Sequence, residues 1–205
     1  MDHFTHRRPF LLCLALAATL ATSILPTARA AGAEPPKGFA AQATPVPAFE
    51  LTGIDGTPMP LKQYKGKVVL LVNTASQCGF TPQYADLEKI YKQYRGRGLV
   101  VLGVPSNDFG GQEPGTAAQI KEFCEVNFDI DFPLADKQVV KGPNAHPLYR
   151  WIAAELGEDA LPKWNFHKYL IGADGKLVEG FATPVKPTDA KVTKAIELAL
   201  LKAKV

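Results

Sequence analysis

Two runs of mostly apolar residues mark the centre of the predicted fold. Residues 67–73 (KVVLLVN) and 99–105 (LVVLGVP) are rich in β-branched residues and leucine, as is typical of strands buried within a parallel sheet. Between these runs, apolar and aromatic residues recur at helical spacing, at Tyr84, Leu87, Tyr91 and Tyr94. We expect Thr81 to cap this helix and Pro82 to be its first residue. Two strands joined by a helix predict a right-handed βαβ unit.

The remaining pattern predicts two hairpins and three more helices. The hairpins are residues 49–61, which turn around Asp55 and Gly56, and residues 166–181, which turn around Asp174 and Gly175. Apolar residues at helical spacing predict helices over residues 116–127, over residues 145–156 and after a Thr188 cap. Alternation alone gives an α/β or α+β class. The order of elements favours an α/β, thioredoxin-like fold with a central mixed sheet flanked by helices.

The first thirty residues have the layout of a secretory signal peptide. Arg7 and Arg8 precede an uncharged apolar run over residues 10–25, and Ala28 and Ala30 supply the small residues of a cleavage site. An uncleaved membrane anchor is the alternative, although the run is shorter than the roughly 20 residues that span a bilayer. We therefore expect a signal peptide at 1–30, a flexible Ala/Pro/Gly-rich lead-in at 31–47 and one domain at 48–205. The protein is expected to be exported to the periplasm, with no stable membrane insertion after processing.

Composition excludes several classes of protein. The 205 residues are 46% hydrophobic and 21% charged, which supports a buried core and excludes wholesale disorder. Removal of residues 1–30 would remove three arginines and one aspartate, so the net charge of +3 would fall to +1. Such a balance has no nucleic-acid signature. Of three cysteines, Cys13 lies in the signal segment, so Cys78 and Cys124 remain, and an oxidising compartment would allow them to pair.

Cys78 follows a predicted buried strand and directly precedes a predicted helix. This position places it at the carboxyl edge of the sheet, where open α/β sheets carry their sites. The helix N-terminus favours the reactive thiolate form, although a buried and inert cysteine is an equally ordinary reading. The segment Cys78 to Thr81 reads CGFT and lacks the second cysteine of a CxxC motif, which argues against thioredoxin-type dithiol exchange.

Four segments resemble motifs of the glutathione peroxidases, in family order. They are residues 72–84 (VNTASQCGFTPQY), 105–115 (PSNDFGGQEPG), 142–149 (GPNAHPLY) and 163–171 (KWNFHKYLI). The resemblance spans about residues 49–203. It implies a peroxidatic role for Cys78, with Gln112, Trp164 and Asn165 as its catalytic partners. Amide and indole N–H groups are uncharged donors that would stabilise a thiolate and a departing alkoxide. Taken singly, these residues have ordinary readings as a loop glutamine, a core tryptophan and a turn-capping asparagine.

Two departures from the family pattern accompany the resemblance. Asp108 stands where the family often has glutamine, and we expect its carboxylate to face solvent rather than to oppose thiolate formation at Cys78. Cysteine replaces selenocysteine at the catalytic position, which implies slower peroxide chemistry but the same reaction.

Cys124 lies in residues 122–128 (EFCEVNF), which resemble the resolving-cysteine helix of the thioredoxin-dependent branch of the family. A resolving thiol resets the sulfenic acid that peroxide leaves on the attacking cysteine. Disulfide formation needs Cα atoms within about 7 Å, so we expect this helix to unwind locally, with Glu122 and Glu125 making it easy to melt. A core cysteine packed beside Ile120 and Phe123 is the alternative.

The resemblance implies a thiol peroxidase of oxidative-stress defence. It would reduce hydrogen peroxide and organic hydroperoxides to water or alcohols, with no cofactor, and a thioredoxin-like dithiol protein or glutathione would supply electrons. Cys124 favours the dithiol protein. A peroxide sensor that passes its disulfide to a partner protein is the main alternative, and a disulfide carrier without peroxide activity is a third.

The histidines and nearby lysines are expected to be structural. No spacing of Cys, His and Asp indicates a metal site. His146 is expected to start a helix and His167 is isolated. Lys67, Lys163 and Lys168 are expected to be solvated, with a contribution of positive potential near the site as the alternative.

Overall fold

The two apolar runs form neighbouring parallel strands at the centre of a four-stranded sheet. The computed structural model describes residues 45–203, so the predicted signal peptide and most of the lead-in lie outside the described residues. Within residues 45–203, no helix combines the length and the hydropathy needed to cross a bilayer. The strands are β1 (Glu50–Thr52), β2 (Pro58–Pro60), β3 (Val68–Thr74), β4 (Leu99–Pro105), β5 (Lys168–Ile171) and β6 (Leu177–Phe181). The α-helices are α1 (Gln83–Tyr94), α2 (Ala117–Phe128), α3 (Pro147–Leu156) and α4 (Ala190–Lys202).

The main sheet is mixed, in the order β4-β3-β5-β6. β3 pairs in parallel with β4, so their carboxyl ends meet, with Thr74 opposite Pro105. β5 runs antiparallel to β3 and begins at the same edge, with Lys168 opposite Val72. The loops after β3 and β4 and the segment before β5 therefore converge at one edge of the sheet. β1 and β2 form a separate antiparallel hairpin.

Alternate residues of the central strand supply two hydrophobic cores. Val68, Leu70 and Val72 of β3 pack on the side of the sheet that carries α1, α2 and α4. Val69 and Leu71 face the opposite side, where α3 packs. Since both faces are covered, the strand carries no solvent-facing polar residue, which is why its sequence is an uninterrupted apolar run. The predicted thioredoxin-like arrangement of a mixed sheet between helices is confirmed.

The predicted caps at Thr81 and Thr188 are both wrong. The residue before α4 is Asp189 rather than Thr188, and its side chain makes no capping hydrogen bond to the helix. Pro82, rather than Thr81, is the residue before α1. The hydroxyl of Thr81 donates to the carbonyl of Ala75 instead of capping the helix. Thr116, which the sequence analysis did not name as a cap, caps α2. Its hydroxyl accepts from the amide of Gln119, whose side chain in turn accepts from the amide of Thr116. Such a capping box satisfies two backbone donors at once.

The last residues of the predicted lead-in touch the domain. Val46 donates its amide to the carbonyl of Gly175, at 2.9 Å, in the turn between β5 and β6. The same turn contains Asp174 and Gly175, and the positive φ of 79° at Gly175 is the conformation that the Asp-Gly pattern predicts.

Candidate active site

Three chain segments meet at the carboxyl edge of β3 and carry the predicted site residues. Cys78 lies in the loop between β3 and α1, and Gln112 lies in the loop between β4 and α2. Trp164 and Asn165 precede β5. One backbone bond joins the first two segments, because the amide of Gln77 donates to the carbonyl of Gln112 at 3.0 Å. The topology therefore places Gln112 directly beside the Cys78 loop.

The Cys78 loop is held by a hydroxyl that the sequence pattern assigned to a helix cap. Thr81 Oγ1 accepts from the amide of Cys78 at 3.0 Å and donates to the carbonyl of Ala75 at 2.9 Å. These two bonds close a tight turn around the cysteine. Cys78 is 7% exposed, and the amide of Phe80 points at its sulfur from 3.4 Å. This contact gives the sulfur of Cys78 a backbone hydrogen-bond donor.

Gln112 and Asn165 are in direct contact. Asn165 Nδ2 donates to Gln112 Oε1 at 2.9 Å. The bond occupies the oxygen of Gln112, and its NH₂ group has no protein acceptor among the described residues. Asn165 is fully buried, and its Oδ1 also makes no hydrogen bond with the described protein. A buried amide of this kind is more than the turn-capping residue that the simple alternative assumes.

Trp164 is not a core residue, since 39% of it is exposed. Its ring packs against Phe109 with centroids 5.9 Å apart, and its Cη2 would lie 3.8 Å from a Cβ at Gly110. The same hypothetical Cβ would lie 3.7 Å from Cγ of Gln112. Gln112 and Trp164 therefore flank Gly110 together, and the indole stands at the open side of the site.

Asn73 organises the site, and the sequence reasoning gave it no role. Its Nδ2 donates to the carbonyl of Trp164 at 3.1 Å, and its Oδ1 accepts from the amide of His167 at 3.1 Å. Between these anchors, Phe166 adopts a positive φ of 61°, which is uncommon for a bulky residue. A polar residue at the end of an otherwise apolar buried strand was the available signal for Asn73.

Asp108 does not face solvent as expected. It is half-buried, and its Oδ2 accepts from the amides of Val140 at 2.6 Å and Lys141 at 3.2 Å. The carboxylate thus fastens the loop after β4 to the segment that precedes α3. The sequence could not show this because the partners lie about thirty residues away.

Cys124 is fully buried in the middle of α2, and both Cys78 and Cys124 are free thiols. Burial raises the pKa of the Cys124 thiol to about 11, and the neighbouring Tyr84 hydroxyl acts in the opposite direction. Of the twelve residues of α2, only Ile120 and Cys124 are buried. Ala117, Phe123 and Phe128 are partly buried against the same core. The Cys124 thiol is protonated at neutral pH while the helix stays in place.

A groove of about 350 Å³ separates the Cys78 loop from α2. Its lining includes Ser76, Gln77, Glu113, Gly115, Ile120 and Phe123. The carboxyl of Glu113 is fully buried, and this burial raises its pKa while contacts with Ser76 lower it less strongly. The groove is the space between the two cysteine-bearing segments.

The histidines act as structural residues. His146 Nδ1 accepts from the amide of Leu148 at 3.2 Å, so it caps α3 as predicted. His167 packs against Tyr169 with ring centroids 4.7 Å apart, and burial lowers its pKa to about 4. Among residues 45–203, no three His, Cys, Asp or Glu side chains come together in a way that would hold a metal ion.

Lys168 contradicts the expectation that the nearby lysines are solvated. It is fully buried at the start of β5, and its ammonium donates to the carbonyls of Thr183 and Val185. Lys163, in contrast, is exposed and lies 3.6 Å from Asp159. Sequence pattern could not separate the two, since both lysines flank the same motif.

Comparison with known proteins identifies the family. The family model described as glutathione peroxidase matches residues 46–153, more than half of the chain. The chain belongs to the glutathione peroxidase family. It is 46% identical over 149 residues to "Hydroperoxy fatty acid reductase gpx1" of Synechocystis, which covers 69% of this chain and 88% of that protein. It is 45% identical to "Glutathione peroxidase-like peroxiredoxin GPX5" of Chlamydomonas reinhardtii, with coverage of 73% and 92%.

Solved structures show the same fold. The structure described as Trgpx in apo form has a TM-score of 0.62 and 38% identity, covering 78% of this chain and 98% of that chain. A thioredoxin-family thiol:disulfide interchange protein from Chlorobium tepidum has a TM-score of 0.60 at 20% identity, with coverage of 78% and 98%. The second likeness concerns the fold alone. Both structures agree with the thioredoxin-like architecture of this chain.

Proposed function

We propose that this member of the glutathione peroxidase family is a thiol peroxidase in which Cys78 attacks hydroperoxides. Gln112, Trp164 and Asn165 would assist that attack, and Cys124 would resolve the product. The single observation that carries the proposal is the hydrogen bond of 2.9 Å from the buried Asn165 amide to Gln112, next to the Cys78 loop. This bond brings amide groups from two separate segments together beside the loop that carries Cys78.

The first step is the transfer of one oxygen atom to sulfur. The Cys78 thiolate attacks the terminal oxygen of ROOH, the O–O bond breaks, and Cys78 becomes a sulfenic acid. The departing alkoxide takes up a proton and leaves as an alcohol, or as water when the substrate is hydrogen peroxide. The amide NH₂ groups and the indole N–H supply donors where negative charge develops, and they do so without a group that titrates near neutral pH.

The second step forms a disulfide and releases water. The Cys124 sulfur displaces the hydroxyl from the sulfenic acid of Cys78, and the thiol proton leaves with it as water. Because burial raises the pKa of Cys124 to about 11, the thiol becomes an effective nucleophile only when α2 unwinds and exposes it. An external dithiol then reduces the disulfide by exchange and restores both thiols.

The names of two relatives support our proposals for the substrates and for the thiol that donates electrons. One relative is named a hydroperoxy fatty acid reductase and another a peroxiredoxin. We propose hydrogen peroxide and organic hydroperoxides as substrates and a thioredoxin-like dithiol protein, rather than glutathione, as reductant. Residues 1–30 carry the pattern of an export signal, so we further propose that the enzyme works in the periplasm, in defence against oxidative stress.

The test is a peroxide-consumption assay on the mature chain with either thioredoxin or glutathione as donor. Wild type should turn over repeatedly with thioredoxin. Cys78→Ser should consume no peroxide, and Cys124→Ser should complete one turnover and then stop. Asn165→Ala should slow the first turnover, whereas Asn144→Ala, at an exposed asparagine, should not. The proposal fails if wild type consumes no peroxide, and the resolving role fails if Cys124→Ser keeps full turnover with thioredoxin.

A further inference from the structure

Lys168 is a buried cation whose partners are all backbone carbonyls. It is the first residue of β5 and fully inaccessible to solvent. Its Nζ lies 2.6 Å from the carbonyl of Val185 and 3.2 Å from that of Thr183. Because an isolated ammonium is costly to bury, it persists where it is paired or where its hydrogen bonds hold something in place.

The segment that Lys168 holds is hydrogen-bonded to the proposed site. Thr183 Oγ1 donates to the backbone carbonyl of Asn165 at 2.7 Å. The carbonyl of Thr183 also accepts from Gln83 Nε2 at 2.8 Å, and Gln83 opens the helix that follows the Cys78 loop. Thr183 therefore joins the buried lysine, the Asn165 backbone and the start of α1 in one network.

The electrostatic surroundings leave the Lys168 ammonium only weakly compensated. Burial lowers the pKa of Lys168 to about 7, while Asp189 before α4 and Asp86 in α1 raise it less strongly. His167, which directly precedes β5, is uncharged at neutral pH because burial lowers its own pKa to about 4. Burial therefore weakens the hold of the Lys168 amine on its proton, and the two carboxylates oppose that effect.

We propose that Lys168 is a positioning residue for Asn165, acting through the carbonyl and hydroxyl of Thr183. This inference rests on the proposed function, since it concerns the placement of a side chain that assists Cys78. The ammonium draws the 183–185 segment against β5, Thr183 then fixes the Asn165 carbonyl, and the Asn165 amide is held on Gln112. Bonds from a charged donor are about twice as strong as neutral ones, so loss of the lysine proton loosens the whole network.

The test measures Cys78 reactivity in two independent ways. One readout is the rate constant for hydrogen peroxide in single turnover, followed by tryptophan fluorescence. The other is the pH at which alkylation of Cys78 by iodoacetamide reaches half its maximal rate, in a Cys124→Ser background. Lys168→Met should slow peroxide reduction on the order of tenfold, since small misplacements of assisting groups are costly, and should move the alkylation midpoint to higher pH. Wild type should lose peroxide rate above neutral pH. Lys168→Arg should keep the alkylation midpoint of wild type and abolish that loss.

Thr183→Val separates positioning from general destabilisation. It removes the hydroxyl that bonds Asn165 but keeps the shape and backbone of the site. It should shift the alkylation midpoint in the same direction as Lys168→Met. The shift in the double variant Lys168→Met/Thr183→Val should be no larger than the larger of the two single shifts. Lys191→Met is the matched control, because Lys191 is also bonded, to Glu179 at 2.9 Å, but has no hydrogen-bonded link to Asn165 among the described residues.

Each outcome decides one question. An unchanged alkylation midpoint in folded Lys168→Met, or strictly additive effects in the double variant, overturns the inference. If Lys168→Met does not fold, an unshifted midpoint in Thr183→Val overturns it instead. Failure of wild type to consume peroxide overturns the proposed function, while the alkylation midpoints still report whether Lys168 controls Cys78.

Discussion

The capping box at the start of α2 should set the rate of disulfide formation. If Cys124 reacts only from an unwound helix, every change in helix stability changes the population of the reactive state. Thr116→Ala removes one half of the capping box, in which Thr116 Oγ1 accepts from Gln119 at 3.3 Å. Loss of such a cap costs about 1 kcal/mol of helix stability. Since a tenfold change corresponds to about 1.4 kcal/mol, disulfide formation should accelerate about fivefold.

A substitution that stabilises α2 should change the rate of disulfide formation in the opposite direction. Val126 lies on α2, two residues beyond Cys124, and is 77% exposed, so its side chain contributes little packing. Val126→Ala should raise helix propensity by about 0.5 kcal/mol and slow disulfide formation about twofold. The two variants bracket wild type without touching either cysteine.

The assay is a single turnover with stoichiometric hydrogen peroxide, quenched with a thiol-alkylating reagent and analysed for free Cys124 over time. Oxidation of Cys78 in the same samples should be unchanged. His146→Ala is the control, because it removes a comparable cap from α3 on the opposite face of the sheet. Equal disulfide rates in wild type, Thr116→Ala and Val126→Ala would refute gating by helix unwinding.

Three further predictions concern buried polar groups at the sheet edge. Asn73→Ala should destabilise the protein by about 2 kcal/mol and slow peroxide reduction about tenfold, because the Trp164 carbonyl and the His167 amide lose their partner. Urea unfolding and a peroxide rate equal to those of wild type would contradict this. The pKa of His167 is about 4 against 6.5 when unfolded, so unfolding binds a proton and stability should fall by on the order of 3 kcal/mol from pH 6.5 to 4. His167→Phe should show a smaller fall in urea titrations, and an identical fall would count against the assignment. Burial raises the pKa of Glu113, so the contribution of this carboxyl to stability is lost as pH rises through its folded pKa. The melting temperature of Glu113→Gln should exceed that of wild type at pH 8 and equal it at pH 4. A gain in melting temperature that does not depend on pH would exclude this cause.

Local patterns were sufficient for the sheet and for most of the helices. The runs that became β3 and β4 were identified to within one residue, since a strand covered on both faces has to be apolar throughout. The Asp-Gly turns were also predicted correctly, because each involves partners within a few residues. For the same reason, the order of elements was enough to predict the mixed sheet.

Local patterns failed wherever a polar side chain had a distant partner. Thr81 looked like a helix cap, but its hydroxyl closes the turn around Cys78. Asp108 looked solvated, but it binds backbone amides about thirty residues away. Asn73 drew no attention within an apolar run, although it holds the segment that carries Trp164 and Asn165.

The sequence by itself determined the class of fold, the position of Cys78 at a sheet edge and the absence of a second cysteine in its motif. The resemblance to glutathione peroxidases supplied the site residues that accompany it. Only the tertiary structure decided that Asn165 meets Gln112, that the Cys124 thiol is buried and protonated, and that Lys168 is buried rather than solvated. The physical reason is that helix and strand patterns follow from neighbouring residues, whereas the burial and charge of a side chain depend on segments that only folding brings together.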